Sequence, residues 1–128
     1  HSDMKRRLDG RFSEIDTALR GFVAEMEAQN VWQSVVLATE SEFARTLDSN
    51  GGGSDHAWAG NHFIVGGGLN GGKVFNKFPA SLKAGNDHDL GRGRLIPDFP
   101  WESMMVPIAE WMGMETGQRT ETFPNIGY

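Results

Sequence analysis

Leu8, Phe12, Ile15, Leu19, Phe22 and Met26 follow one another at intervals of 4, 3, 4, 3 and 4 positions. An α-helix turns once in about 3.6 residues, so these intervals gather the apolar side chains on one stripe. The pattern predicts an amphipathic helix from Met4 to about Gln29. Its other face carries Lys5, Arg6, Arg7, Asp9, Arg11, Glu14, Asp16, Glu25 and Glu27. Mixed signs of this kind describe a solvated face better than a binding surface. Gly10 and Gly21 weaken the helix by up to ~1 kcal/mol each without breaking its period. Asn30 suits a helix stop.

From Val31 to Thr39 the chain turns β-rich, with Val35, Val36, Leu37 and Ala38 apolar in succession. An uninterrupted apolar run suggests a strand covered on both faces, as in a parallel sheet flanked by helices. A long helix followed by such a strand is half of an α/β unit. Glu40 to Asn61 reads as a long polar loop rich in Gly, Asp and Ser, and loops of that length usually carry function or disorder. His62 to Gly68 and Lys73 to Phe78 read as two strands joined by Leu69-Asn70-Gly71-Gly72. Asn-Gly between apolar runs is a strong hairpin signal, because the favoured turn needs positive φ at both central residues. Ala80 to Arg94 reads as a surface loop. A second helix is expected over Trp101 to Met112, with Pro107 kinking it or delaying its start. Its Met and Trp residues are read as core filling rather than a cofactor box. The tail from Glu115 to Tyr128 shows no period. The expectation is an α/β chain with a long N-terminal helix, a buried strand, a Gly-rich loop, a β-hairpin and a C-terminal helix.

Composition narrows the function. The 128 residues hold 12 Lys plus Arg against 17 Asp plus Glu, a net charge of −5, and no Cys. Nucleic acid is not an expected partner, since a non-specific binder needs a basic face to displace counterions. Without Cys there is neither a disulfide scaffold nor a thiolate metal site. No apolar run approaches the ~20 residues that span a bilayer. At this length one domain is the natural reading. The first residue is His1 rather than Met, which suggests a processed chain or a piece of a longer one.

Candidate chemistry gathers between Glu40 and His62. Glu42, Asp55, His56 and His62 are carboxylates and imidazoles downstream of the expected buried strand, where open α/β sheets bind ligands. Such a donor set suits Zn²⁺, Mn²⁺ or a similar ion. Asp55 and His56 are neighbours, and neighbouring side chains of a strand point to opposite faces. They could share one ion only from an irregular loop, for which Gly51, Gly52 and Gly53 supply freedom. The plainer alternative is a turn with an Asx-type hydrogen bond at Ser54-Asp55-His56. His62 alone is read more readily as a strand-edge or core histidine, and His88 as a loop residue. Arg45 suits either a bidentate anion contact or a salt bridge with Glu40 or Glu42.

Several of these segments resemble the domain of unknown function 1501 family of exported proteins. They are Ser41-Glu-Phe-Ala-Arg-Thr46, Gly53-Ser-Asp-His-Ala-Trp58, Asn61-His-Phe-Ile-Val-Gly-Gly67, Gly71-Gly72, Gly93-Arg-Leu-Ile-Pro97 and Ala109-Glu-Trp-Met-Gly113. His1-Ser2 also resembles the end of a Gly-Gly-aromatic-Asp-Thr-His motif of that family. The resemblance implies the C-terminal part of an alkaline-phosphatase-like fold, placed in the alkaline phosphatase and sulfatase superfamily. It further implies a divalent metal (Zn, Mn, Ca or Mg), with Glu42, Asp55 and His56 as first metal candidates and His1 and His62 as second. Arg45 would be the anion contact. Ala44 stands where the family usually has Gly, which alters the turn after Glu42. Export by the twin-arginine route, into a periplasm, the exterior or an organelle lumen, follows from the family alone.

Three functions follow as expectations. One is a metal-dependent phosphate or sulfate ester hydrolase-like protein, incomplete for catalysis as given because the superfamily's nucleophile lies in an N-terminal part. Another is a non-catalytic structural or accessory subunit, covered by the remainder of its own chain or by protein partners in an assembly. A small-molecule or glycan binder using the Trp58 loop is a third.

Overall fold

The computed structural model describes residues 3–126, so the expectation for His1 lies outside the described residues. The chain divides into two compact units, His1–Ile96 and Pro97–Tyr128. The first unit opens with α1 (Met4–Ala28), as the stripe predicts. Exposed side-chain pairs lace its outer face: Lys5 to Asp9 at 2.7 Å and Arg20 to Asp16 at 2.9 Å. Each contributes a few tenths of a kcal/mol. The helix stops where Asn30 takes a positive φ of 58°. There the Asn30 N–H donates to the Glu27 carbonyl at 2.9 Å and the Val31 N–H to Met26 at 3.0 Å. Those two bonds satisfy carbonyls that a helix end otherwise leaves without donors.

Both ends of α1 are tied to other elements. At its start the Asp3 N–H donates to the Gly52 carbonyl at 2.8 Å, and the Ser54 hydroxyl contacts the Met4 sulfur at 3.2 Å. Near its end Phe22 meets Trp32 edge-on, with ring centroids 6.4 Å apart. Between these ties Leu8, Phe12 and Ile15 are exposed, Phe12 at 62%. Among the described residues no hydrophobic side chain is fully buried.

A 3-10 turn at Trp32–Ser34 separates α1 from β1 (Val36–Ala38), which is shorter than the expected strand. β1 pairs antiparallel with β4 (Ile64–Gly66), placing Val36 opposite Gly66, Leu37 opposite Val65 and Ala38 opposite Ile64. The expected buried strand of a parallel sheet is therefore corrected: β1 is half-exposed and belongs to a two-stranded antiparallel sheet. Its apolar run lies against close-packed glycine backbone instead of flanking helices. A Cβ on Gly66 would stand 2.6 Å from the Val35 carbonyl oxygen, and one on Gly67 the same distance from that of Trp32.

The expected loop over Glu40 to Asn61 is also corrected. It contains β2 (Ala44–Ser49) and β3 (Ser54–Ala57), an antiparallel hairpin with Ala44 opposite Ala57, Arg45 opposite His56 and Ser49 opposite Ser54. Its inward residues are polar, Thr46 at 6% exposure and Ser54 at 2%. The expected hairpin across Asn70-Gly71 does not form. Ile64–Gly66 pairs with β1, and residues 73–78 carry no strand, leaving Val74 88% exposed.

In the second unit α2 (Glu102–Trp111) begins ahead of Pro107, which thus does not delay it. The tail is more structured than its missing period implied. A 3-10 turn at Thr116–Gln118 is closed by reciprocal capping between Glu115 and Gln118, and α3 (Arg119–Thr122) follows. Arg119 forms an ion pair with Glu110, and the Asn125 amide donates to Glu102 at 3.1 Å. Helices and two small antiparallel sheets give the chain a mixed α/β character. Among the described residues no helix is long and apolar enough to cross a membrane.

Candidate functional site

Asn50 builds the turn that carries the site. Its N–H donates to the Gly53 carbonyl at 3.0 Å, and its side-chain oxygen accepts the N–H groups of Gly52 and Gly53 at 3.1 and 2.8 Å. Gly51 supplies the positive φ, 95°, which an L side chain rarely adopts. The Gly run therefore closes a hairpin, and its freedom is consumed by the turn. β3 then leaves this turn with Asp55 and His56 at consecutive strand positions, across from a bulge in β2 between Arg45 and Ser49.

Strand alternation sends these two side chains to opposite faces. On one face Asp55 accepts the Asn50 amide at 2.8 Å through Oδ1 and the Arg92 guanidinium at 2.7 Å through Oδ2. The Asn50 amide first, and the Arg92 guanidinium next, hold the Asp55 carboxyl below the usual carboxylate range. On the other face His56 stacks on Phe43, with centroids 3.7 Å apart and planes 15° from parallel. Arg45 lies across from His56, 5.6 Å above the Phe43 ring, and donates through one nitrogen to the Ser54 carbonyl at 2.9 Å. Among the described residues no ion pair joins it to Glu40 or Glu42. The remainder of its donor fork stays exposed.

Glu42 and His62 are exposed and outside the strands. Among the described residues no group of three or more His, Asp or Glu is gathered as a metal site would need. With both Asp55 oxygens engaged and His56 turned away, the arrangement does not fit one ion shared by this pair.

The sequence reading did not single out Arg92, although Asp55 depends on it. Arg92 arrives on a loop nucleated by Asp89, whose carboxylate accepts the N–H groups of Gly85 at 2.9 Å, Gly91 at 2.8 Å and Gly93 at 3.1 Å. Those backbone donors, Gly85 foremost, lower the Asp89 carboxyl against the opposing effect of desolvation. The loop docks on the first hairpin strand through the Leu47 N–H, which donates to the Gly93 carbonyl at 3.0 Å. Three successive positive φ values, 90° at Gly91, 62° at Arg92 and 66° at Gly93, bend it into place. The Gly91-Arg92-Gly93 triplet was the available signal: alternate glycines around a long cation mark a tight bend presenting that cation.

A depressed folded-state pKa gives Asp89 a defined acid dependence. Its stabilising effect is complete above the ordinary aspartate pKa of about 3.9 and is lost as pH falls through the lower folded value. Asp89→Asn is expected to lower the thermal midpoint at pH 7, with the gap to the parent closing toward pH 2. Thermal unfolding of both proteins across that range checks it; a gap that persists unchanged in acid assigns the effect to something other than the ionised carboxylate.

Residues 1–89 match the family described as Protein of unknown function (DUF1501). No curated protein and no solved structure matches the chain.

Proposed function

The chain belongs to the DUF1501 family, and from that premise we propose that it is part of a hydrolase-like protein of the alkaline phosphatase and sulfatase superfamily, acting on phosphate or sulfate esters. Arg45 carries the reading. It is an exposed guanidinium with most of its fork open, held in place by the Ser54 carbonyl and the Phe43 ring, and a planar fork matches two oxygens of such an anion. A divalent cation (Zn, Mn, Ca or Mg) belongs to the same reading, and when bound would polarise the ester oxygen. Asp55, whose two oxygens are engaged by Asn50 and Arg92, would hold it only together with donors from outside the described residues. His56, Glu42 and His62 would reach a site only with groups beyond those described, so no catalytic step is assigned to them. Export follows the same family premise.

The test is metal analysis of the full-length protein with hydrolysis of p-nitrophenyl phosphate and p-nitrophenyl sulfate. Arg45→Met should raise KM about tenfold or more, the size of a lost charge-assisted contact. A metal-free protein inert toward both esters, with phosphate affinity indifferent to Arg45→Met, would sink the reading.

A second reading, the structural or accessory subunit, is favoured by one observation. Leu8, Phe12 and Ile15 stand exposed along α1, a face that the remainder of a longer chain or a partner in an assembly would cover. Sedimentation and denaturant unfolding check it: a cooperatively folded monomer that binds no hydrophobic dye contradicts it.

A further inference from the structure

Asn50-Gly51 and Asn70-Gly71 are the same dipeptide in two settings. Asn followed by Gly is the step at which a chain most readily closes a succinimide ring on itself. The Gly nitrogen gives up its proton and attacks the Asn side-chain carbonyl carbon, and the side-chain nitrogen leaves as ammonia. Glycine favours the closure because no Cβ obstructs it and its backbone rotates freely. Water then opens the ring at either carbonyl, giving Asp or isoaspartate. Neither an oxidant nor an enzyme is required. The structure decides the outcome by how firmly it holds the attacking nitrogen and the carbonyl that it must reach.

At Asn50-Gly51 both are held. The Asn50 side-chain oxygen accepts the N–H groups of Gly52 and Gly53 at 3.1 and 2.8 Å, and its amide nitrogen donates to Asp55 at 2.8 Å. The Gly51 N–H donates to the Ser49 hydroxyl at 3.1 Å. Ring closure there would break these bonds together and open the hairpin turn. Asn70 and Gly71 are instead exposed. Among the described residues no hydrogen bond holds the Asn70 side chain or the Gly71 N–H. Nothing lies within 4 Å of a Cβ built on Gly71. Downstream, residues 73–78 form no strand that would fix the backbone. Upstream, the last backbone tie is the Leu69 N–H, which donates to the Gly66 carbonyl at 3.2 Å.

We propose that Asn70 is a modification site, a position of spontaneous deamidation to Asp and isoaspartate in the folded protein, and that the hairpin turn protects Asn50 from the same reaction. Either product adds one negative charge, taking the net charge from −5 to −6, three residues before Lys73. Isoaspartate also routes the main chain through the side-chain carbon and lengthens it by one atom. Both changes fall beyond the glycines packed on Trp32 and Gln33, so the β1–β4 sheet is kept.

The experiment incubates the full-length protein at mildly alkaline pH, folded and in parallel unfolded in urea. Each Asn is read by peptide mass spectrometry, and isoaspartate by isoaspartyl methyltransferase labelling. In the folded protein Asn70 should convert about tenfold or more faster than Asn50, a ratio in keeping with the hydrogen bonds that Asn50 must break. In urea the two should convert at similar rates, because the dipeptides are then alike. Gly71→Ala, whose Cβ meets no neighbour, should suppress most of the conversion at Asn70. Ser49→Ala, which releases the Gly51 N–H, should speed Asn50 and leave Asn70 unchanged. Conversion at Asn50 as fast as at Asn70 in the folded protein overturns the proposal, as does an Asn70 that converts only in urea. Asp without isoaspartate at position 70 also overturns it, since hydrolysis would then have bypassed the ring.

Discussion

Gly93→Ala is expected to destabilise the unit that contains the hairpin by about 2–5 kcal/mol, the sum of a left-handed backbone penalty and an overpacking penalty. Gly93 has a φ of 66°, and an added Cβ would meet the Leu47 Cβ at 2.7 Å, the Leu47 nitrogen at 2.9 Å and the Asp48 nitrogen at 3.0 Å. Two of those atoms are backbone, which cannot step aside as the end of a flexible side chain can. Relief would require the loop to lift from the hairpin, losing the bond from the Leu47 N–H to the Gly93 carbonyl. Arg92 would then be withdrawn from Asp55. Urea unfolding should show a lower midpoint with an unchanged slope. A variant within ~0.5 kcal/mol of the parent would mean that the loop does not dock as described.

Gly67→Ala should cost about 1–3 kcal/mol, through crowding alone. Its Cβ would lie 2.6 Å from the Trp32 carbonyl oxygen and 2.7 Å from a carbon of the indole ring. Trp32 is also the residue on which Phe22 rests. Pushing it away therefore loosens the end of α1 together with the β1–β4 sheet. Indole fluorescence during denaturation would register both changes in one transition. Gly71→Ala is the control, because nothing lies within 4 Å of a Cβ there. Equal effects at the two positions would refute the packing argument.

The legible parts of this fold were those in which one periodic pattern governed a whole element. The stripe from Leu8 to Met26 located α1, and Asn30 marked its end because a left-handed residue is required there. The hairpin escaped for a physical reason. The residues turned inward in β2 and β3 are Thr46 and Ser54, whose hydroxyl groups hide that inward face from a hydrophobicity reading. The Thr46 hydroxyl is part of the hairpin itself, accepting the Asp55 N–H at 3.1 Å and donating to the Asp48 carbonyl at 2.9 Å. The chain contains two Asn-Gly steps, and apolar neighbours favoured the wrong one. Asn50-Gly51 turns because the Asn50 side chain gathers two backbone donors, whereas Asn70-Gly71 is followed by a segment that finds no partner strand.

The candidate site was legible in its residue types and less so in its geometry. Asp55, His56 and Arg45 do lie on one hairpin, yet Asp55 answers to Asn50 and Arg92, while His56 and Arg45 answer to Phe43. Consecutive positions on β3 separate what an irregular loop would have joined. Arg92 was invisible because its partner is distant in sequence and its approach depends on three successive left-handed residues.

The two ties on α1 give that helix a mechanical meaning. Twenty-five residues at 1.5 Å rise make a rod of about 37 Å, pinned at one end to the turn of the β2–β3 hairpin and at the other to Trp32 beside the β1–β4 sheet. The rod is thus held beside two sheets that have no strand in common. Its length is therefore a dimension of the first unit as well as a count of turns. One residue inserted between the pins would lengthen it by about 1.5 Å and rotate one end against the other by about 100°, so that both anchorages could not be kept at once.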